Sequence, residues 1–206
     1  MTAMNKTLGI GLSVLLAFSF AACSGGPTGR LKSDSEEDMV GNRAAGAETY
    51  DRLVAGAVEK LLSGPAAAFT GTGQKKIAVL PIRNEGNEEL ADGKAQLYQI
   101  VGSTINQSAR FRTINKDFLD VAFREAQIST NDVYLPRGRR ALAAALEQQG
   151  VPVELLLLPT LTTGTTNAGQ GESQKNYLLG LVLVDIASGE EVSNVTSPRI
   201  RKEYTR

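Results

Sequence analysis

Three apolar runs of the sequence have the length and composition of buried β-strands. They are KKIAVLPIRN from Lys75, VELLLLP from Val153 to Pro159, and YLLGLVLVDI from Tyr177 to Ile186. Each run is short, aliphatic and apolar on both faces, which is typical of strands covered on both sides of a sheet. The sequence therefore predicts a sheet with helices packed against it.

Segments with helical periodicity lie between these runs. The segment from Tyr50 to Leu62 has apolar residues every three or four positions and ends at Gly64-Pro65. Three more helices are predicted, with Asn115 as the N-cap of the second and Gly150 just after the end of the third; they cover about 90–109, 116–126 and 139–149.

The other elements complete a small α/β domain. Residues 111–114 predict a brief strand, Thr162 to Gln174 a loop rich in Thr, Gly and Asn, and Glu190 to Lys202 a polar edge strand. The predicted order is α-β-α-β-α-α-β-β-β, a mixed sheet of about four to five strands flanked by helices. A single domain is expected.

The N-terminal residues predict export from the cytoplasm. Lys6 precedes a short apolar run that ends in Phe20-Ala21-Ala22-Cys23. A charge, an apolar run and then small residues form a signal peptide, and the run is shorter than the roughly 20 residues of a spanning helix. Small residues before a cysteine resemble the lipobox of bacterial lipoproteins, although Leu is usual where Phe20 stands. The alternative is an ordinary secreted protein.

Cys23 is the sole cysteine, so no intramolecular disulfide can form. The lipobox implies that Cys23 carries the lipid anchor, and Ser24 after it favours the outer membrane over the inner one. The sequence thus divides into a signal peptide (1–22), a lipid-anchored flexible tether (23–47) and an α/β domain (48–206).

Composition argues against catalysis and against nucleic acid as a partner. The chain has 22 basic and 22 acidic residues and no histidine, so it lacks a one-signed field and the commonest general base and metal ligand. The segment from Gly86 to Lys94 resembles a phosphate-binding loop, but six residues separate its glycines and Ala95 replaces the Ser or Thr. We predict no enzyme activity, cofactor, metal or small-molecule substrate.

Two groups of arginines are candidate partner contacts. Arg137, Arg139 and Arg140 precede or begin a predicted helix, and Arg199 and Arg201 lie near the C-terminus. Such residues are most often solvated, but arginine is also enriched in protein interfaces. Both interpretations stay open, and the second implies an acidic partner.

Several of these segments together resemble a known family. KKIAVLPIRNEGNEE, ARFRTINKDFLDVAFREAQIST, GVPVELLLLPTL and NYLLGLVLVDIASGEEV, with a closing IRKEY, are similar to LpoB-type lipoproteins from about Tyr50 to Tyr204. The LVDIASGEEV ending is shared with the curli secretion channel lipoprotein and the N-terminal domain of the Tol-Pal translocation protein. In LpoB-type proteins a bulky aromatic often follows this turn, where Ser193 and Asn194 follow Val192 here.

The resemblance implies a function for the chain. LpoB-type lipoproteins sit in the outer membrane, face the periplasm, and bind and activate a class A penicillin-binding protein, which is a peptidoglycan synthase. Known activators have long Pro-rich tethers, whereas about 24 residues here span at most roughly 80 Å. The alternatives are a subunit of a secretion or pore assembly, like the curli channel lipoprotein, and a structural envelope lipoprotein.

Overall fold

The computed structural model describes residues 46–66, 73–86, 93–169 and 172–204. The predicted signal peptide, Cys23, nearly all of the tether and the centre of the Gly86–Lys94 segment lie outside the described residues. The described elements, in chain order, are α1 (Ala47–Ser63), β1 (Lys75–Val79), β2 (Arg83–Asn84), α2 (Gly93–Gln107), β3 (Phe111–Thr113), α3 (Lys116–Glu125), a 3₁₀ helix (Thr130–Tyr134), α4 (Pro136–Gln148), β4 (Leu155–Gly169), β5 (Glu172–Asp185), β6 (Glu191–Thr196) and β7 (Ile200–Tyr204).

The strands form one mixed sheet of seven strands. Its main order is β3-β1-β4-β5-β6; β2 pairs with β4 and β7 pairs with β5. β1 is parallel to β3 and β4, whereas β5 is antiparallel to β4, β6 and β7. The predicted mixed sheet flanked by helices is confirmed. It has more strands than expected because β2 is added and the last predicted strand breaks at Ser197-Pro198 into β6 and β7.

Helices cover the sheet on both faces, as the doubly apolar strands require. Leu155 and Leu157 of β4 point into one core with α1 and α2, and Leu156 and Leu158 point into the other core with α3 and α4. These four leucines are at most 4% exposed. The alternation of side chains along a strand therefore divides one apolar run between two cores.

The predicted loop from Thr162 to Gln174 is wrong. This segment continues the two strands, and the pairing of β4 with β5 extends from Leu155↔Asp185 to Asn167↔Ser173 and then, after a bulge, to Gly169↔Glu172. Its threonines are β-branched and favour extended backbone. The two strands hydrogen-bond to each other along this segment. The stability gained from this pairing outweighs the low strand propensity of the glycines, which had suggested a loop.

Local signals at helix ends are confirmed. The Asn115 side chain accepts a hydrogen bond from the backbone N–H of Asp117 at 3.0 Å, so it caps α3 as predicted. Gly150 follows α4 with φ of 72°, and the N–H of Val151 donates to the carbonyl of Leu146. The start of α4 is earlier than predicted, at Pro136, because proline suits the first turn of a helix.

Candidate protein interface

The junction between the 3₁₀ helix and α4 is fixed by short-range contacts. The N–H and hydroxyl of Ser129 donate to the Asp132 carboxylate at 2.8 and 2.7 Å. The hydroxyl and then the backbone bond hold the pKa of Asp132 below its ordinary value of 3.8. Gly138 is buried, and a Cβ there would overlap the carbonyl group of Asp132. The junction can therefore present the next residues in a defined geometry.

Two arginines contact Tyr134 at this junction. The guanidinium of Arg83 lies over the Tyr134 ring, 5.0 Å from its centroid, and also pairs with Glu85. Arg139 donates from Nη1 to the Tyr134 carbonyl oxygen at 3.3 Å. Tyr134 therefore links β2 to the first turn of α4.

Beside Tyr134 the chain exposes a large apolar side chain among cations. Leu135 is 49% exposed, and Arg137 and Arg140 are exposed as well. Arg140 donates from Nε to the carbonyl of Pro136 at 3.3 Å, so its side chain folds back over the start of α4. We name the four exposed residues Arg83, Leu135, Arg137 and Arg140, together with the half-buried Tyr134, the Leu135 surface.

The structure separates the roles of the predicted arginines. Arg137 and Arg140 belong to the Leu135 surface. Arg139 is half-buried, and its guanidinium also lies at the β5–β6 turn, where a Cβ on Gly189 would be 2.8 Å from Nη2. Arg199 is exposed just before β7, and Arg201 is exposed on β7 opposite Asn176 of β5.

Three members of the Leu135 surface were missed by the sequence reasoning. Arg83 and Tyr134 are 51 positions apart in the sequence, and they meet only because the 3₁₀ helix lies beside β2. Leu135 is the N-cap residue before Pro136, and apolar residues near a helix start often pack against its first turns. That pattern does not distinguish a packed leucine from an exposed one, so no sequence signal separates the two.

Two features of the described residues bear on the kind of site. None of their helices combines the length and apolarity that a membrane crossing needs. Among the same residues, no group of three or more His, Cys, Asp or Glu side chains is placed to hold a metal ion.

Comparisons with known proteins give a fold class first. No family model matches the sequence, and the curated proteins give no significant match. Among solved structures, the layered α/β arrangement described above is that of the LpoB domain, so the chain has an LpoB-type fold.

Two LpoB structures carry this result. The NMR structure of E. coli LpoB matches with a TM-score of 0.53 at 14% identity, covering 85% of this chain and 80% of that one. The LpoB C-terminal domain from Escherichia coli matches with a TM-score of 0.51 at 16% identity, covering 71% of this chain and 97% of that domain. At these identities the likeness establishes the fold.

Proposed function

We propose that this chain is an outer-membrane lipoprotein, anchored through Cys23 and facing the periplasm, that binds and activates a class A penicillin-binding protein. The observation that carries the proposal is the LpoB-type fold of the described domain. The lipobox-like Phe20–Cys23 sequence supports it, because it connects this fold to a lipid anchor.

Activation of this kind requires contact and no chemistry by the chain itself. A protein that binds the active conformation of a synthase more tightly than the inactive one shifts the population toward activity. The gain is limited by the difference between the two affinities; a tenfold difference corresponds to about 1.4 kcal/mol. Such a role agrees with the predicted absence of enzyme activity.

The Leu135 surface is the contact that we propose for the synthase. Tyrosine and arginine are enriched where binding energy concentrates, and an exposed leucine can fill an apolar pocket on the partner. Arg137 and Arg140 would meet acidic groups and accelerate association at low salt. Arg199, just before β7, and Arg201, on β7, form a second candidate contact.

A binding experiment tests both the partner and the surface. The full chain, immobilised in detergent, is incubated with solubilised envelope membranes, and retained proteins are labelled with fluorescent penicillin. We expect one labelled synthase to be retained and its glycan polymerisation to be faster with the chain present. Arg137→Ala with Arg140→Ala should weaken retention about tenfold.

A matched pair of exposed arginines controls for loss of charge. Arg110 and Arg112 are exposed at β3, so Arg110→Ala with Arg112→Ala removes the same charge elsewhere. Equal weakening by both double variants would reject the Leu135 surface. Absence of any retained penicillin-labelled protein would reject the proposed partner.

Lipidation is tested separately from binding. Labelled palmitate should be incorporated into the chain, and Cys23→Ser should abolish the label and release the chain from membranes. Retention of the label by Cys23→Ser would contradict the proposed anchor.

The length of the tether limits how far the domain can reach from the membrane. A fully extended tether spans at most roughly 80 Å, so a longer tether should increase activation in cells if reach is limiting.

A further inference from the structure

A second candidate site lies at the carboxyl ends of the parallel strands β1 and β3, because the helices that follow these strands pack on opposite faces of the sheet. After β1 and the short β2 the chain enters α2, whose Leu97, Val101 and Ile105 join the core on one face of the sheet. After β3, the neighbour of β1, the chain enters α3, which joins the core on the opposite face. Ligands of open α/β sheets bind in the crevice outside the carboxyl ends of such strands.

That crevice contains two cavities, with volumes of about 190 and 300 Å³. Tyr98, Gln99 and Lys116 line both cavities, which therefore adjoin as one groove. The smaller cavity is bounded also by Pro81, Ile82, Lys94 and Ala95, and the larger one by the α2 face around Gly102 and the β3–α3 junction at Thr113–Asn115. We name it the switch-point groove.

Gly102 keeps this groove open at a cost to the helix. It lies inside α2, where glycine destabilises a helix by roughly 0.5–1 kcal/mol relative to alanine. Nothing lies within 4 Å of a Cβ built on Gly102, and its φ is not positive. Neither the packing nor the backbone conformation of the described chain requires glycine at this position. Because glycine has no side chain, this part of the groove stays open.

The charged groups that line the groove are both cationic. Lys94 and Lys116 bring ammonium groups to it, and Lys116 pairs with Asp120 one turn along α3. Burial first, and then the charge of Asp120, raise the pKa of Tyr98, so its phenol stays a neutral donor. None of the described lining residues is acidic. Asp117 and Asp120 of α3 lie beside the lining residues and partly offset the positive charge.

The apolar part of the groove adds a second requirement. Pro81, Ile82 and Ala95 form its wall next to Lys94 and Lys116. A ligand that fits both features has a compact apolar body and one acidic group. The N-terminus of α3 lies at Lys116, and the positive end of the helix dipole there also favours an anion.

We propose that the switch-point groove binds a small organic anion, in which a carboxylate or phosphate group contacts Lys94 and Lys116 and an apolar body lies along Pro81, Ile82 and Ala95. This ligand differs from the expectation of no small-molecule partner drawn from the sequence. It does not require the phosphate-binding loop that was rejected at Gly86–Lys94. The site is independent of the Leu135 surface and of the proposed synthase.

Ligand-observed NMR on the full chain in detergent micelles tests this proposal. Phenyl phosphate serves as the soluble anion, dihexanoyl phosphatidic acid as the lipid source of the same group, and phenyl glucoside as a neutral probe. Empty micelles give the background from partitioning. We expect saturation transfer from the chain to the anionic probes and little to the neutral one. Preference between the two anions identifies the source.

Three variants separate specific from nonspecific binding. Ala95→Leu places a larger side chain in the smaller cavity and should abolish transfer, while the melting temperature stays about equal because leucine is a good helix former. Lys94→Gln with Lys116→Gln should weaken binding about tenfold, whereas Lys76→Gln, an exposed lysine at the other end of β1, should leave it unchanged. Transfer that survives Ala95→Leu, that is equal for the neutral probe, or that is absent for both anions would overturn the proposal.

Discussion

The guanidinium of Arg83 lies 5.0 Å from the centroid of the Tyr134 ring. This contact joins a strand of two residues, β2, to the 3₁₀ helix that precedes α4. β2 has little pairing of its own, because it is paired with β4 at only Thr160 and Leu161. The contact between Arg83 and the Tyr134 ring therefore helps to hold β2 beside the 3₁₀ helix, and both elements contribute residues to the Leu135 surface.

The Arg83–Tyr134 contact should have a measurable coupling energy. A cycle of Arg83→Ala, Tyr134→Leu and the double variant should give about 0.5–1 kcal/mol from denaturant unfolding, the range of partly exposed cation–π pairs. Arg83→Lys retains the charge beside Glu85 and serves as the control for the ion pair. Additive effects of the two single changes would show that the contact adds no stability.

Two glycines in helices should respond to alanine with opposite signs. Gly138→Ala should destabilise the domain by about 1–3 kcal/mol, because the new Cβ meets the Asp132 backbone. Gly102→Ala should stabilise it by about 0.5–1 kcal/mol, because the site is open and alanine favours helix. Thermal and denaturant unfolding of both variants measure the difference. Equal signs would contradict the packing described around one of them.

Two buried serines provide a test of hydrogen-bond satisfaction. The Ser197 hydroxyl accepts from the N–H of Leu179 at 3.0 Å and donates to the carbonyl of Pro198 at 2.9 Å. Ser197→Ala leaves the Leu179 N–H unsatisfied and should cost about 1–3 kcal/mol of unfolding free energy. The buried Ser193 hydroxyl has no hydrogen-bond partner within the described ranges, so Ser193→Ala should cost nothing or stabilise. Equal losses would show that strand pairing does not depend on the Ser197 bridge.

The Ser129–Asp132 pair should make stability depend on pH in the acid range. The folded-state pKa of Asp132 is below 3.8, so the pair contributes stability at neutral pH that is lost as pH falls through the folded-state pKa. Ser129→Ala should raise that pKa, and its destabilisation relative to wild type should vanish in strong acid. A carboxyl carbon NMR titration measures the pKa directly. Ser129→Thr retains the hydroxyl, and a pKa equal to that of Ser129→Ala would contradict the role of this bond.

The sequence predicted features that depend on neighbours along the chain. Asn115 as a cap and Gly150 after α4 follow from local backbone chemistry, and both were correct. The apolar runs around Ile77 and Leu157 were recognised because strands covered on both faces have little polar residue content. The segment from Thr162 was assigned to a loop because its extended state depends on pairing with β5.

Features that depend on strand order were not predictable from one sequence. Arg139 was grouped with exposed arginines, but the approach of the β5–β6 turn at Gly189 makes it a contact within the fold. The switch-point groove was missed for the same reason. Lys94 and Lys116 come together only because β3 pairs with β1, and the sequence placed Lys94 only at the end of a segment that fails as a phosphate-binding loop.

Paired strands of this sheet are separated by very different lengths of chain, and this difference affects the order in which the domain folds. β4 and β5 form a hairpin that closes between Gly169 and Glu172, so this pairing requires little loss of chain entropy. β1 must wait for β4 across β2, β3, three α-helices and a 3₁₀ helix, since Ile77 pairs with Leu155. We expect the hairpin to form early and the parallel β1–β4 register to limit the folding rate. In the proposed exported chain, the edge of β1 that pairs with β4 therefore stays unpaired until the residues from Leu155 onward have arrived.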